Sequence, residues 1–503
     1  LIILIKKIMK KTKILITALL IGSTFFTTSC NDDYLDTTPT DAVDESQVLS
    51  TADGLMAAVN GMHRNMYVRQ KDSQGQNGYT SQMIIADVLG EDVVYPSTGN
   101  GWFVAQMRWQ DTNNVNSGST AYTWDFWYSM IKNANKIIVK GATATGEEKT
   151  KEKAFGEAYA YKAFGYFQLV QIYGKRYVKG GDNTSDGVII RDNPEDNAPK
   201  ERASVEAVYA EIWKNLDKAE SLLKGKDAAN NSHFSISNIY GLKARVALVQ
   251  QDYVNAAKYA ALAKDGHPLM DARAYKSGFK DYKNDEWMWG VTIVSDQTDY
   301  FGNFMAYMSR NYNSTNIRQN PKAFNSALYA KLADTDVRKQ LVDPTGKHAS
   351  LGLPSNFALF PYTSQKFLSV STGDSRGDVV FMRASEMYLI EAEAKYFLGD
   401  EAGSKAVLSE LSSIRDTAFK GFTTSGQEYL DQLYVSRRAE LWGEGFRWFD
   451  LKRQGKDLDR TGANHDATVT NGVMSVKASD KRWQWVIPQS EINANPLCKQ
   501  NPS

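Results

Sequence analysis

At 503 residues, 42% hydrophobic, 12% aromatic and 23% charged, the chain carries enough apolar mass for a large core or two domains, which excludes disorder and collagen. Lys+Arg 59 against Asp+Glu 58 leaves +1, but Lys6, Lys7, Lys10, Lys11 and Lys13 precede Cys30, where no acid does. Without those five charges the balance is −4, and a mildly acidic protein lacks the basic face that nucleic acid requires.

The first 29 residues read as a secretory signal: a basic stretch from Lys6 to Lys13, an apolar run of 13 from Ile14 to Phe26, then Thr27-Thr28-Ser29. Thirteen helical residues rise about 20 Å, short of the ~30 Å hydrocarbon core, so the segment is expected to be cleaved rather than to span. Met9 opens a more typical signal than Leu1, so residues 1–8 read as lying upstream of the true start. Cys30 directly after the signal resembles a bacterial lipobox, with Thr27 where Leu is usual; it would carry the lipid anchor. Asn31-Asp32-Asp33-Tyr34-Leu35-Asp36 resembles the surface-export signal of outer-membrane lipoproteins, and residues 30–50 read as a tether. Cys30 and Cys498 are the only cysteines, so neither a disulfide framework nor a thiolate zinc site is available, and Cys498 is expected to stay an unpaired thiol.

Helical periodicity dominates the body. Trp124, Tyr128, Ile131 and Asn135 fall on one helical face, and Ala158, Tyr161, Gly165, Gln168 and Ile172 predict a second helix over Glu157 to Tyr173, closed by Gly174. Ser204 caps a third that runs to Leu223, and the Gly, Asn and Asp clusters in 180–199 and 225–232 read as loops. Two segments repeat each other: Tyr240 to Ala244 reaches Asp252, and Tyr388 to Ala392 reaches Asp400, at the same offset. In the first, Tyr240, Ala244, Ala247, Ala256, Ala260, Ala263 and Pro268 match the large–small spacing of a tetratricopeptide repeat, whose small residues let paired helices approach closely. The second is weaker, with Ser404 where alanine is expected. The fold class is therefore mainly α, a scaffold of tetratricopeptide-type pairs in 150–268 and 380–455, with loop-rich portions in 70–120 and 269–375 on a single body over 51–503. Inside the second portion, Glu286 to Val294 reads as a strand. Loops this long are usually functional.

These residues resemble the SusD/RagB-like family of outer-membrane glycan-binding lipoproteins. The likeness runs from Cys30 to Asp36 and Ala57-Ala-Val-Asn-Gly61, through Leu242-Lys-Ala-Arg-Val246 and Met387 to Ala394, to Val486-Ile-Pro-Gln-Ser-Glu-Ile492. Its most specific element is Arg437-Arg-Ala-Glu-Leu-Trp-Gly-Glu-Gly-Phe-Arg-Trp-Phe-Asp-Leu-Lys-Arg453, with Ser436 where the family has Glu and Gly443 where an aromatic is common. The resemblance implies a non-enzymatic protein without cofactor. It would sit as a lid over a SusC-like TonB-dependent transporter barrel and capture oligosaccharide for nutrient uptake at the cell surface.

Arg438 with Glu440 or Glu444, and Arg447 with Asp450, lie within helical reach, and the motif reads as a structural ion-pair network under Trp442, Trp448 and Phe449. Asp87, Glu91 and Asp92 supply paired carboxylates, so a surface glycoside hydrolase using Asp87 or Asp92 is the enzymatic alternative, and a peptide or other nutrient receptor is the third reading. His63, His233, His267, His348 and His465 are scattered without metal-ligand spacing, which reads against zinc, and Asp182 to Gly187 reads as a polar turn rather than a calcium loop. With 11 Trp and 26 Tyr in the chain, a stacking surface is suggested, and Tyr95-Pro-Ser-Thr-Gly-Asn-Gly-Trp102-Phe103, continuing to Trp109, places rings in a loop. Tyr95 and Trp102 offer faces for sugar C–H groups and Asn100 an amide for hydroxyls, while Trp102 and Trp109 are open to the alternative that they are core rings. Tyr300 and Tyr312 complete the candidate ligand-binding set on the family's pattern of binding from both long loops. Trp124, Trp127 and Trp213 read as core.

Overall fold

In the computed structural model, residues 45–502 are described; the signal segment, Cys30 and most of the tether lie outside them. After one helical turn at Glu45–Val48, the residues from Leu49 onward cluster as one unit. Its long helices are α1 (Ala52–Asn65), α2 (Gly78–Val88), α3 (Gly118–Lys140), α4 (Glu148–Tyr173), α5 (Val205–Leu223), α6 (Ile236–Val249), α7 (Tyr253–Lys264), α8 (Ala384–Phe397), α9 (Glu401–Arg415), α10 (Gly426–Glu440) and α11 (Arg447–Gln454). Helices α3 to α10 stack largely in sequence order, each against its neighbour, with α7 packing on α8 across the intervening loop-rich segment.

Local chemistry explains where these helices begin. The Ser204 side chain accepts from Ala207 N–H, Asp252 from Asn255 and Asp400 from Gly403, each satisfying a backbone donor that the first turn leaves unpaired. Small residues explain how closely they pack. Ala244, Ala247, Ala256, Ala260 and Ala263 are all fully buried, and a Cβ on Gly165 of α4 would come within 2.9 Å of Ile131 on α3. Ser404 is as buried as the alanine it replaces. Its hydroxyl donates to Ala392 O at 2.6 Å and meets the Tyr429 hydroxyl at 2.7 Å, joining α8, α9 and α10.

The strands are short: β1 (Val93–Val94), β2 (Trp287–Val291), β3 (Ala323–Phe324), β4 (Val342–Asp343), β5 (Thr363–Ser364), β6 (Val379–Arg383), β7 (Leu458–Asp459) and β8 (Ser475–Val476). They form a sheet in the order β1-β3-β5-β4 and two antiparallel pairs, β2 with β6 and β7 with β8. The strand expected over Glu286 to Val294 is β2, buried on both faces because Phe234, Phe164 and Phe381 surround Trp289.

A buried ion network sits where β2 and β6 meet the last helices. Glu440 receives Arg383 at 2.6 Å, Arg415 at 3.1 Å and Arg338 at 3.4 Å; Glu286 receives Arg383 at 2.7 Å and Arg415 at 2.8 Å; Glu444 receives Lys366 at 2.5 Å and Arg383 at 2.8 Å. Burial alone would raise the Glu440 carboxyl, but the surrounding guanidiniums outweigh it and hold it well below the usual carboxylate range. The motif around Arg437 to Arg453 is therefore a structural ion-pair network, but Arg438 and Arg447 take partners other than Glu440, Glu444 and Asp450. Arg438 pairs with Asp92 at 2.5 Å, Arg447 with Glu91, and Asp450 with Arg437 and Arg453, both at 2.7 Å. Glu91 and Asp92 reach Arg447 and Arg438 from a remote segment, while the nearer acids are already taken: Glu440 by Arg383 and Arg415, Glu444 by Lys366 and Arg383, and Asp450 by Arg437 and Arg453.

Both departures from the family's pattern have local reasons. Gly443 has φ +78°, and a Cβ there would lie 2.5 Å from the Phe367 ring, so no side chain fits. Ser436 accepts from Arg338 through its hydroxyl at 3.0 Å, close to where Glu440 meets the same guanidinium. Cys498 is a free, buried thiol, pushed up to about 11 by burial.

Candidate functional site

Three loops approach one another on the loop-rich side: 67–77, 95–103 and 297–320. Arg69 pairs with Asp299 at 2.6 Å, Asn77 donates to the same carboxylate, and the Tyr67 hydroxyl donates to Gln297 at 2.6 Å. The Gln74 amide donates to Phe301 O at 2.9 Å and to the Tyr307 hydroxyl at 3.2 Å. From the middle loop, Ser97 donates to Gln319 O at 2.7 Å, and Gly99, at φ +49°, packs directly over Asn320. These bonds span more than two hundred residues of sequence and fix loop backbone that has no ladder of its own.

Trp102 lies half-buried on this frame. Its ring covers Gly75, where an added Cβ would come within 3.1 Å, and meets Tyr307 in an edge contact at a centroid distance of 6.0 Å. Asn100 is exposed beside it, and Tyr300 is exposed at 36%, its carbonyl held by the Ser375 hydroxyl. Phe301 follows at 68% exposure, on the same turn that Gln74 grips. Phe301 was not among the candidates from sequence, although Asp299-Tyr-Phe-Gly-Asn303 already placed an apolar ring inside a polar turn.

The other three candidate rings lie below this surface, and their assignment as ligand contacts is corrected. Tyr95, 2% exposed, lies under the Lys322 ammonium, 4.4 Å from its centroid, and burial pushes its phenol well above the usual range. Trp109, 2% exposed, donates to Leu89 O at 2.9 Å and stands edge-on to Trp483 at 4.8 Å; it is a core ring. Tyr312, at 6%, closes a small cluster with Ala306, Ile317 and Phe357. Short-range composition put all of these in loops, but the ring that ends up inside is decided by a partner far along the chain.

Asp87, Glu91 and Asp92 are buried and engaged. Asp87 accepts from Gly445 N–H at 2.7 Å, and burial raises it to about 8. Glu91 and Asp92 neutralise Arg447 and Arg438. A hydrolase needs one carboxylic acid and one carboxylate facing an open cleft, and these three face the protein's own arginines and backbone.

Two family models match the chain in tandem. One, described as "Starch-binding associating with outer membrane", covers residues 33–248, and the SusD family model covers 271–503. The chain belongs to the SusD/RagB-like family. A SusD-like protein, P38, of Formosa agariphila is 22% identical, the match covering 98% of this chain and 99% of that one. Among solved structures, a SusD-like carbohydrate-binding protein from Bacteroides vulgatus superposes with a TM-score of 0.77 at 23% identity, covering 89% of this chain and 97% of its own. Surface glycan-binding protein A from Bacteroides thetaiotaomicron, in complex with laminarihexaose, superposes with a TM-score of 0.67 at 18% identity, covering 90% and 99%. The tetratricopeptide-like scaffold is thus the SusD-like fold. Among the described residues, no helix is long and apolar enough to cross a membrane.

Proposed function

We propose that this protein is a lipid-anchored glycan-binding protein of the outer membrane, held through Cys30 and facing the cell exterior. It captures oligosaccharide on the face carrying Trp102, Asn100, Tyr300 and Phe301, and delivers it to a SusC-like TonB-dependent transporter barrel. The observation that carries this reading is the partly buried Trp102 ring seated over Gly75, in a frame of loops that also carries the exposed Asn100 amide and the exposed Tyr300 and Phe301 rings. A flat aromatic face attracts the polarised C–H face of a pyranose, and fixing it beforehand lowers the entropy lost on binding. Family membership supports a glycan as the ligand, as does the laminarihexaose held by a relative with this fold.

The protein acts by binding, without transforming its ligand. This is supported by the engagement of Asp87, Glu91 and Asp92 in internal contacts. Calorimetry against a panel of oligosaccharides tests the reading. Trp102→Ala is expected to weaken binding about ten- to a hundredfold, by analogy with ~1–3 kcal/mol per stacked base, while Tm stays near wild type. A variant that melts many degrees lower with its affinity intact would place the ligand elsewhere. Release of reducing ends on overnight incubation with the same panel would favour the hydrolase instead.

A further inference from the structure

His63 on α1, Glu157 on α4 and His233 just ahead of α6 are far apart in sequence, and the fold brings them together in the interior, correcting the impression of scattered histidines. His63 Nε2 lies 3.1 Å from His233 Nδ1 and 3.1 Å from Glu157 Oε2, and His233 Nδ1 lies 2.9 Å from Glu157 Oε1. We propose that these three side chains form a binding site for one divalent cation of the zinc class.

The triangle has the right size. Zinc at ~2.0–2.1 Å from tetrahedral N and O ligands sets those ligands about 3.3 Å apart, near the separations observed before any ion draws them into place. Hydrogen bonding alone accounts for the cluster less well. If both ring nitrogens donate to Glu157, two N–H groups face each other at 3.1 Å and neither accepts from the other. A cation instead takes a lone pair from each ring and one from the carboxylate. Two imidazoles with one carboxylate suit zinc or its neighbours; calcium and magnesium prefer all-oxygen sets.

Outer contacts orient the ligands as such a site requires. His63 Nδ1 lies 2.5 Å from the Tyr161 hydroxyl; with the Nδ1 proton donated there, the Nε2 lone pair turns towards Glu157. Phe234 N–H donates to Glu157 Oε2 at 3.1 Å and steadies the carboxylate. His233 ends a loop whose residues Asp227, Ala229 and Asn230 are exposed, so the ion would enter from that side. The fourth tetrahedral corner would take a water. Such an ion would clamp α1, α4 and the entry to α6 together, independently of the loop face.

The test uses the full, untagged chain, stripped with chelator and dialysed against zinc. One equivalent of zinc per chain is expected by elemental analysis, with a rise in Tm of several degrees on adding zinc. Cobalt(II) should give the intense visible bands of a tetrahedral site. His233→Ala, at the edge of the cluster, should lose both the equivalent and the Tm rise. If wild type takes up no zinc above buffer level and shows no cobalt bands, the cluster is a hydrogen-bonded core triad and the proposal fails; the cobalt spectrum decides this without any variant. Undiminished zinc uptake by His233→Ala would also overturn it.

Discussion

Trp124 and Trp127 sit in α3, Trp102 and Trp109 in the loop segment that precedes it. In the helix, position along the 3.6-residue period decides burial: both rings face α4 and the core, as spacing predicts. In the loop, two tryptophans seven residues apart have opposite surroundings. Trp109 is covered by Trp483 and bonded to Leu89 O, while Trp102 rests on Gly75 and stays only partly buried. A helix thus writes its buried face into its own sequence, whereas a loop has its buried face assigned by whatever packs on it.

The largest effect is expected at the seam between helical stack and loop-rich portion. Glu440→Ala would remove the carboxylate that Arg383, Arg415 and Arg338 share, leaving Glu286 alone between Arg383 and Arg415, which should cost about 5 kcal/mol, the upper end for breaking a buried pair. Denaturant unfolding followed by tryptophan fluorescence and by far-ultraviolet circular dichroism should show one coincident transition shifted to lower concentration. Separate transitions would mean that the two regions fold independently and that the seam does not couple them.

Trp109→Ala is the next largest, and it sharpens the contrast with Trp102. Removing a core ring should cost about 3–4 kcal/mol, seen as a lower Tm, with oligosaccharide affinity unchanged once the variant is folded. Equal losses of affinity in Trp109→Ala and Trp102→Ala, at matched stability, would erase the distinction between the two rings.

A smaller, pH-dependent effect is expected at Asp87, where α2 meets the Gly445 turn. Its folded value, raised by burial to about 8, lies above its unfolded value near 4, so the folded state holds a proton that the unfolded state has lost between those limits. Stability from this group is therefore complete below about pH 4 and is lost as pH rises through 8. Asp87→Asn cannot ionise, so its Tm should gain on wild type progressively from pH 5 to pH 8. A difference that stays flat over that window would show that Asp87 is ionised in the folded protein, held by Gly445 and the nearby Lys366.

Much of the helical stack was legible in the sequence because its determinants are local. The cap at Ser204, the alanine spacing of the first repeat and the end of α4 at Tyr173 all depend on residues within a few positions. Ser404 looked like a fault in the second repeat only because its partner, Tyr429, lies on another helix.

By itself, then, the sequence determined the helices around α3 to α5 and the paired repeats with their close approaches, the cap at Ser204, the strand β2, and the family, through the ordered motif from Arg437 to Arg453. Only the tertiary structure decided the partners of that motif's arginines, since Glu91 and Asp92 arrive from the other end of the chain. It also decided which loop rings stay open, leaving Trp102, Tyr300 and Phe301 at the surface and burying Tyr95, Trp109 and Tyr312. The meeting of His63, Glu157 and His233 belongs to the same class. The physical reason is common to all three: ion pairing, ring burial and ligand geometry act over a few ångströms of space, and in loops nothing in the local sequence period reports which distant residues will occupy that space.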